Sequence, residues 1–113
     1  MKPGDVVLIR FPQANLEAGK LRPALVIAIA PGRHGDLLLA LISSRVHQAV
    51  PNFDEIIEPD DQDFSQTGLK VRSVIRLGRL ATVEAAVIDA RLGEVGGFRM
   101  VSVHRRLGAW LHV

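Results

Sequence analysis

The sequence predicts a mainly β protein, a small antiparallel barrel closed or braced by one late helix. Three observations carry this reading. Short apolar, β-branched runs recur with Gly and Pro between them, they do not alternate with helical segments as βαβ units would, and the one helical periodicity comes at the C-terminus. The chain has 113 residues, 48% hydrophobic against 23% charged, a balance that fits one folded domain with one core over residues 1–113.

The elements follow in order. Val6-Val7-Leu8-Ile9-Arg10-Phe11, set between Gly4 and Pro12, reads as a strand because β-branched and apolar residues suit a pleated surface. Residues 13–20 mix small and polar types and read as a hairpin loop. Arg22-Pro23 then opens the unbroken apolar run 24–30, as expected of a central strand buried on both faces, with its Pro where a strand tolerates one. Residues 37–42 form a third apolar run that ends on Ser43-Ser44-Arg45, polar groups delivered at the end of a buried strand.

Residues 53–58 lead to Pro59 and the acidic stretch Asp60-Asp61-Gln62-Asp63, expected to be a solvated loop. Over residues 71–77 partial alternation places Val71, Ser73 and Ile75 on one face and Arg72, Val74 and Arg76 on the other, and further strand-like pieces fall at 82–88. After Gly96-Gly97, the spacing of Phe98, Val101, Leu107 and Leu111 predicts the apolar stripe of an amphipathic helix, with Arg99, Arg105 and Arg106 interleaved.

Composition excludes several chemistries. With no Cys there is no disulfide framework, thiolate zinc site or cysteine nucleophile, and the four His are scattered without metal-ligand spacing. Neither metal nor cofactor is therefore expected, and catalysis must use oxygen, nitrogen and charge. The N-terminus lacks the basic start and apolar stretch of a signal peptide, and no apolar run could cross a bilayer, so a cytoplasmic protein without membrane contact is expected. A net charge of +2 permits a polyanionic partner without requiring one. Aromatic residues are 4% of the chain and Tyr is absent, which argues against a stacking platform for successive bases. The apolar excess suggests a surface covered by a second subunit or a partner segment. Trp110, near the helix end, is expected to pack rather than stack on a base.

Four pieces in order resemble the MazF/PemK-like toxin family. They are Gly4-Asp5-Val6-Val7 with Phe11-Pro12, then Arg22-Pro23-Ala24-Leu25-Val26-Ile27, then Ile42-Ser43-Ser44, and last Gly68-Leu69-Lys70-Val71-Arg72-Ser73-Val74. The resemblance implies an SH3-like antiparallel barrel of the CcdB/MazF plasmid-toxin type and a homodimer. It also implies a metal-independent endoribonuclease acting on single-stranded RNA. A cognate antitoxin would hold it silent, and operon DNA would be a partner only in complex with that antitoxin. Carried over by position, the catalytic set is Arg22, Ser43 and Glu17, and the RNA-binding set is Lys20, Ser44, Arg45, Lys70, Arg72 and Ser73. Ser43 stands where Thr is usual, and Arg72 where many relatives have Pro.

The chemistry suits these residue types. RNA carries its own nucleophile, the 2′-hydroxyl, so an enzyme need only deprotonate it, stabilise charge on phosphorus and protonate the leaving 5′ oxygen. The ends would be a 2′,3′-cyclic phosphate and a 5′-hydroxyl, and DNA would be inert. A planar, charged guanidinium at Arg22 can bond two phosphoryl oxygens, a role ranked above proton donation because Arg gives up its proton reluctantly. Ser43 can donate to a nonbridging oxygen, and Glu17, beside an Arg, stays ionised as a base of modest strength. Taken alone, Arg22 reads as a solvated charge, Ser43 and Ser44 as turn formers, and Glu17 as loop surface. The family pattern reverses those readings. Two alternatives stay open: a binding module for RNA or protein that does not cut, and an inactive homologue acting through its antitoxin.

Overall fold

In a computed structural model, which describes residues 1–10 and 20–112, the chain forms six strands. These are β1 (Asp5–Ile9), β2 (Arg22–Ile29), β3 (Leu37–Ser43), β4 (Glu55–Ile57), β5 (Ser73–Val83) and β6 (Ala90–Glu94). A one-turn helix α1 (Phe64–Thr67) precedes β5, and α2 (Gly97–Leu111) ends the chain. Phe11-Pro12, Glu17 and most of the predicted hairpin loop lie outside the described residues.

All the pairings are antiparallel and the sheet order is β4-β5-β3-β2-β1-β6, so β4 and β6 form its edges and the sheet curls into a half-barrel. Side chains alternate between two cores, as the pleat requires. Val6, Leu25, Ile27, Ala40, Ile42 and Ile75 pack beneath α2 with Val103 and Leu107. Val7, Ile9, Ala24, Val26, Leu37 and Leu39 pack on the other side against Ala81, Val83 and Ile88. The unbroken apolar run in β2 is thus buried on both faces, as its sequence predicts.

One strand serves both cores by bending. Ala40 pairs with Leu80 but Leu41 pairs with Arg76, which leaves residues 77–79 as an insertion in β5. The backbone N–H of Leu77 at that bend donates to the Asp54 carboxylate at 2.9 Å, while the other oxygen of Asp54 accepts the Val50 N–H at 2.8 Å. A buried donor that the ladder abandons is thereby satisfied. Strand character ends at Val83 and a 3₁₀ turn occupies Ala85–Val87, so the strand-like reading of 82–88 is corrected. Likewise Val71 lies outside β5 and is 54% exposed, not on a shared face with Ser73 and Ile75.

The rotation of α2 overturns a second expectation. Of Phe98, Val101, Leu107 and Leu111, only Leu107 is buried, and the side chains that face the sheet are Arg99, Val103 and Leu107. The reason is electrostatic. Arg99, 3% exposed, donates from Nε and Nη2 to the two oxygens of Asp63 at 2.9 Å each, from Nη2 to Asp61 at 2.8 Å, and from Nη1 to the Ile56 carbonyl at 2.9 Å. Asp63, expected in a solvated loop, is 2% exposed and also accepts the N–H of Gly96, the N-cap of α2, at 2.8 Å. The Arg99 hydrogen bonds hold the Asp63 carboxyl below the usual carboxylate range against the opposing pull of burial. Asp61 is lowered too, first by the Glu58 backbone N–H and then by Arg99. Burial alone would lower Arg99, but the two carboxylates outweigh it and raise it.

Further along α2, Arg106 reaches Glu55 at 3.3 Å and Ser102 reaches the same carboxylate at 3.0 Å, so the helix is docked on a polar stripe as well as an apolar one. Trp110 packs edge-on against Phe53, centroids 5.2 Å apart, and remains half exposed. No helix among the described residues is long and apolar enough to cross a membrane.

The end of α1 presses on the edge strand β6. Gly68, at φ 76°, leaves no room for a Cβ against the Leu92 carbonyl, and a Cβ on Gly93 would strike the backbone of Gln66 and Thr67. Thr67, fully buried, bridges the turn by donating to the Phe64 carbonyl at 2.7 Å and accepting the Leu69 N–H at 3.1 Å. At the N-terminus, Asp5 (2% exposed) receives Lys2 at 2.8 Å and Arg91 at 3.1 Å, which ties β1 to β6. Gly4 at φ 97° supplies the preceding turn.

Replacing Arg99 with Met should destabilise the protein by about 3–5 kcal/mol, because Asp63 is left buried without its cation; denaturant unfolding measures this. The lowered Asp63 and Asp61 contribute stability that is full above the unfolded carboxylate value, about 3.9, and is lost as pH falls through their lower folded values. Melting temperature should therefore drop steeply below about pH 4, and the drop should be shallower in Asp63→Asn. Gly93→Ala should cost about 1–3 kcal/mol through overpacking, read from the same unfolding curves.

Candidate active site

Three strand ends meet at one rim of the sheet. The β2–β3 register pairs Ala24 with Leu41, and carried two residues further it sets Arg22, at the start of β2, beside Ser43, at the end of β3. Ser43 in turn pairs with Val74, which brings the start of β5 to the same place. Pro23 at the second position of β2 pairs with Leu8, near the strand end where a Pro is tolerated.

These ends border a cleft of about 370 Å³. Its polar lining is Lys20, Arg22, Ser43, Ser44, Lys70 and Ser73. Leu69, Val71 and Leu92 stand among its apolar lining, with Gly68 between them and α1. Three cations and no carboxylate line this cleft among the described residues, a balance of charge that is complementary to an anion.

The hydroxyls differ in what they have left to give. Ser43 Oγ accepts the Arg45 N–H at 3.0 Å, so the turn after β3 uses a lone pair and the hydroxyl hydrogen can still be donated. Ser73, 3% exposed, donates its hydroxyl to the Val71 carbonyl at 2.8 Å. Its hydrogen is spent on shaping the loop that carries Lys70.

Of the nine residues assigned from sequence, six therefore line one cleft. Arg45 is exposed at the turn beyond Ser43, and Arg72 is exposed and paired with Glu58 at 2.7 Å, and neither is part of the lining. Glu17 lies outside the described residues. Sequence reasoning missed Leu92, because β6 reads Ala-Arg-Leu-Gly-Glu and offers neither an apolar run nor alternation. The juxtaposition of Gly68 and Gly93 with their opposite backbones was the available signal, and it appears only once α1 and β6 are docked.

A search of curated protein sequences finds no match. Among solved structures, MazF from Deinococcus radiodurans is similar with a TM-score of 0.72 at 24% identity, over 100% of this chain and 97% of that one. A MazE–MazF structure from the same organism gives 0.70 at 22% identity, over 100% and 96%. An endoribonuclease in complex with its cognate antitoxin from a mycobacterial species gives 0.71 at 14% identity, over 100% and 96%. At these identities the likeness shows a shared fold, a mainly β half-barrel with a C-terminal helix. The model of the PemK-like, MazF-like toxin of type II toxin-antitoxin systems matches residues 2–111. With that match running almost end to end, the chain belongs to the MazF/PemK-like family of type II toxins.

Proposed function

We propose that this toxin is a metal-independent endoribonuclease that cleaves single-stranded RNA by attack of the 2′-hydroxyl on the adjacent phosphate. The observation that carries the reading is the cleft in which Arg22 and Ser43 stand together with Lys20 and Lys70, with no carboxylate among the described residues that line it. In this reading Arg22 holds two phosphoryl oxygens and gains strength as charge develops, and Ser43 donates its remaining hydrogen to a nonbridging oxygen. Lys20 and Lys70 hold flanking phosphates as point charges. Glu17, which precedes Arg22 in the sequence and lies outside the described residues, takes the 2′ proton. The phosphorus–2′-oxygen bond forms as the phosphorus–5′-oxygen bond breaks, and the leaving 5′-oxygen takes up a proton from solvent water.

The partners follow from the same cleft and from the family. A cognate antitoxin covers the cationic cleft with an acidic segment, by charge complementarity, and two of the similar solved structures contain an antitoxin. A homodimer is supported by the outer side of α2, where Phe98 and Val101 are more than half exposed. Operon DNA is bound only in complex with the antitoxin, and the toxin acts in the cytoplasm.

Purified protein in EDTA should cut single-stranded RNA, leave DNA of the same sequence intact, and give 2′,3′-cyclic phosphate and 5′-hydroxyl ends. Arg22→Ala should lower the cleavage rate by roughly 10²–10³-fold with an unchanged melting temperature; a folded Arg22→Ala protein that cuts at the normal rate removes Arg22 from the mechanism. Ser43→Ala should cost roughly tenfold, and Ser43→Thr should retain activity, because the donor is kept and the added methyl restricts its rotamer. RNA bound in a gel shift but intact after long incubation would instead make the chain a binding module.

A further inference from the structure

We propose that Leu92, with Val71 beside it, is the seat for one nucleobase of the RNA, next to the phosphate held by Arg22 and Ser43; this rests on the nuclease reading above. Leu92 is the extra residue of a β-bulge, since Val6 pairs with Gly93 while Val7 pairs with Arg91. Bulges re-aim a side chain out of the regular pleat and are common beside functional sites. Here the residue so displaced is apolar, 37% exposed, and borders the cleft rather than either core. Val71, which lines the same cleft, is 54% exposed and likewise outside both cores.

The two apolar groups are held in a set relation by backbone. Gly68 passes so close to the Leu92 carbonyl that no side chain fits between them, and Gly93 meets Gln66 and Thr67 in the same way. The loop that carries Lys70 and Val71 therefore cannot shift without moving Leu92. The same cleft is lined by the cations of Arg22 and Lys70 and the hydroxyl of Ser43.

A cleft lined by both cationic and exposed aliphatic side chains matches a nucleotide, whose phosphate is charged and whose base presents an apolar flat face. Its volume, about 370 Å³, lies near the lower end of ligand pockets, roughly 300–1,000 Å³, and suits one nucleotide rather than a stacked run. Among the described residues the cleft is lined by no aromatic side chain, and its exposed apolar groups are aliphatic. An aliphatic seat recognises the presence of a base and its shape, not its hydrogen-bonding edge.

The test uses a short RNA whose 2′-hydroxyls are methylated, so that it binds without being cut, and a set of copies with one base removed at each position in turn. Affinity is measured at one fixed salt concentration, because the phosphate contribution depends on salt. In the wild-type protein, removal of one particular base should weaken binding by roughly five- to tenfold. In Leu92→Ser the intact oligonucleotide should bind more weakly by the same factor, and removal of that base should then have no further effect. Leu92→Phe should bind the intact oligonucleotide more tightly than the wild type, and serves as a second reading if the Ser variant is unstable. Wild-type protein that cuts RNA but shows a flat scan, or the same base dependence with Ser at position 92, overturns this proposal and leaves the nuclease reading standing. Protein that neither binds nor cuts RNA overturns both.

Discussion

A single buried cation organises the C-terminal half of this protein. Arg99 comes from the first turn of α2, yet its guanidinium lies under the protein surface and is surrounded by Asp63, Asp61, Glu55 and the Ile56 carbonyl. A guanidinium so enclosed is tolerated only when its donors are met, and here the planar fork is matched by two carboxylate oxygens on one side. The interaction sets three things together: the rotation of α2, the path of the 59–63 segment, and the position of α1, which follows Asp63 directly. Because α1 runs into Gly68 and the loop bearing Lys70, the lip of the cleft is linked through Asp63 to a helix on the other side of the first core.

The opposite lip is made by a different device. β2, β3 and β5 are central strands, with apolar side chains locked on both sides of the sheet, so their ends are among the stiffest places from which to present a side chain. Arg22 and Ser43 occupy such ends. A polar group at the rim of a two-sided core gains positional precision without being buried, which is what a phosphate-binding geometry demands.

Much of this was legible in the chain, for physical reasons that differ from element to element. β1, β2 and β3 were readable because burial on two faces needs unbroken apolar runs, and such runs are rare elsewhere. That Arg22 and Ser43 would stand together was suggested by the family pattern alone, since their residue types are ordinary for turns and surfaces, and the two do line one cleft. The phase of α2 was not readable. Hydrophobic spacing favoured Phe98, Val101 and Leu111, all more than half exposed, because a charged residue that is buried by pairing with a distant acidic stretch looks identical in sequence to one in solvent. Asp63 was misjudged for the mirror-image reason. The bend in β5 and the bulge at Leu92 were likewise invisible, because each is a consequence of how two strands register, which single-strand periodicity does not contain.

The contact of Gly68 with Leu92 and of Gly93 with α1 is made by main chain against main chain. The aperture of the cleft is thereby decoupled from the chemistry of its walls. Residues such as Val71, Lys70 and Leu92 can be exchanged without moving the backbone that frames the opening, so preference for one ligand over another can drift among related chains while the frame stays put. Loss of either glycine acts in the reverse direction, altering the frame while every wall residue keeps its identity.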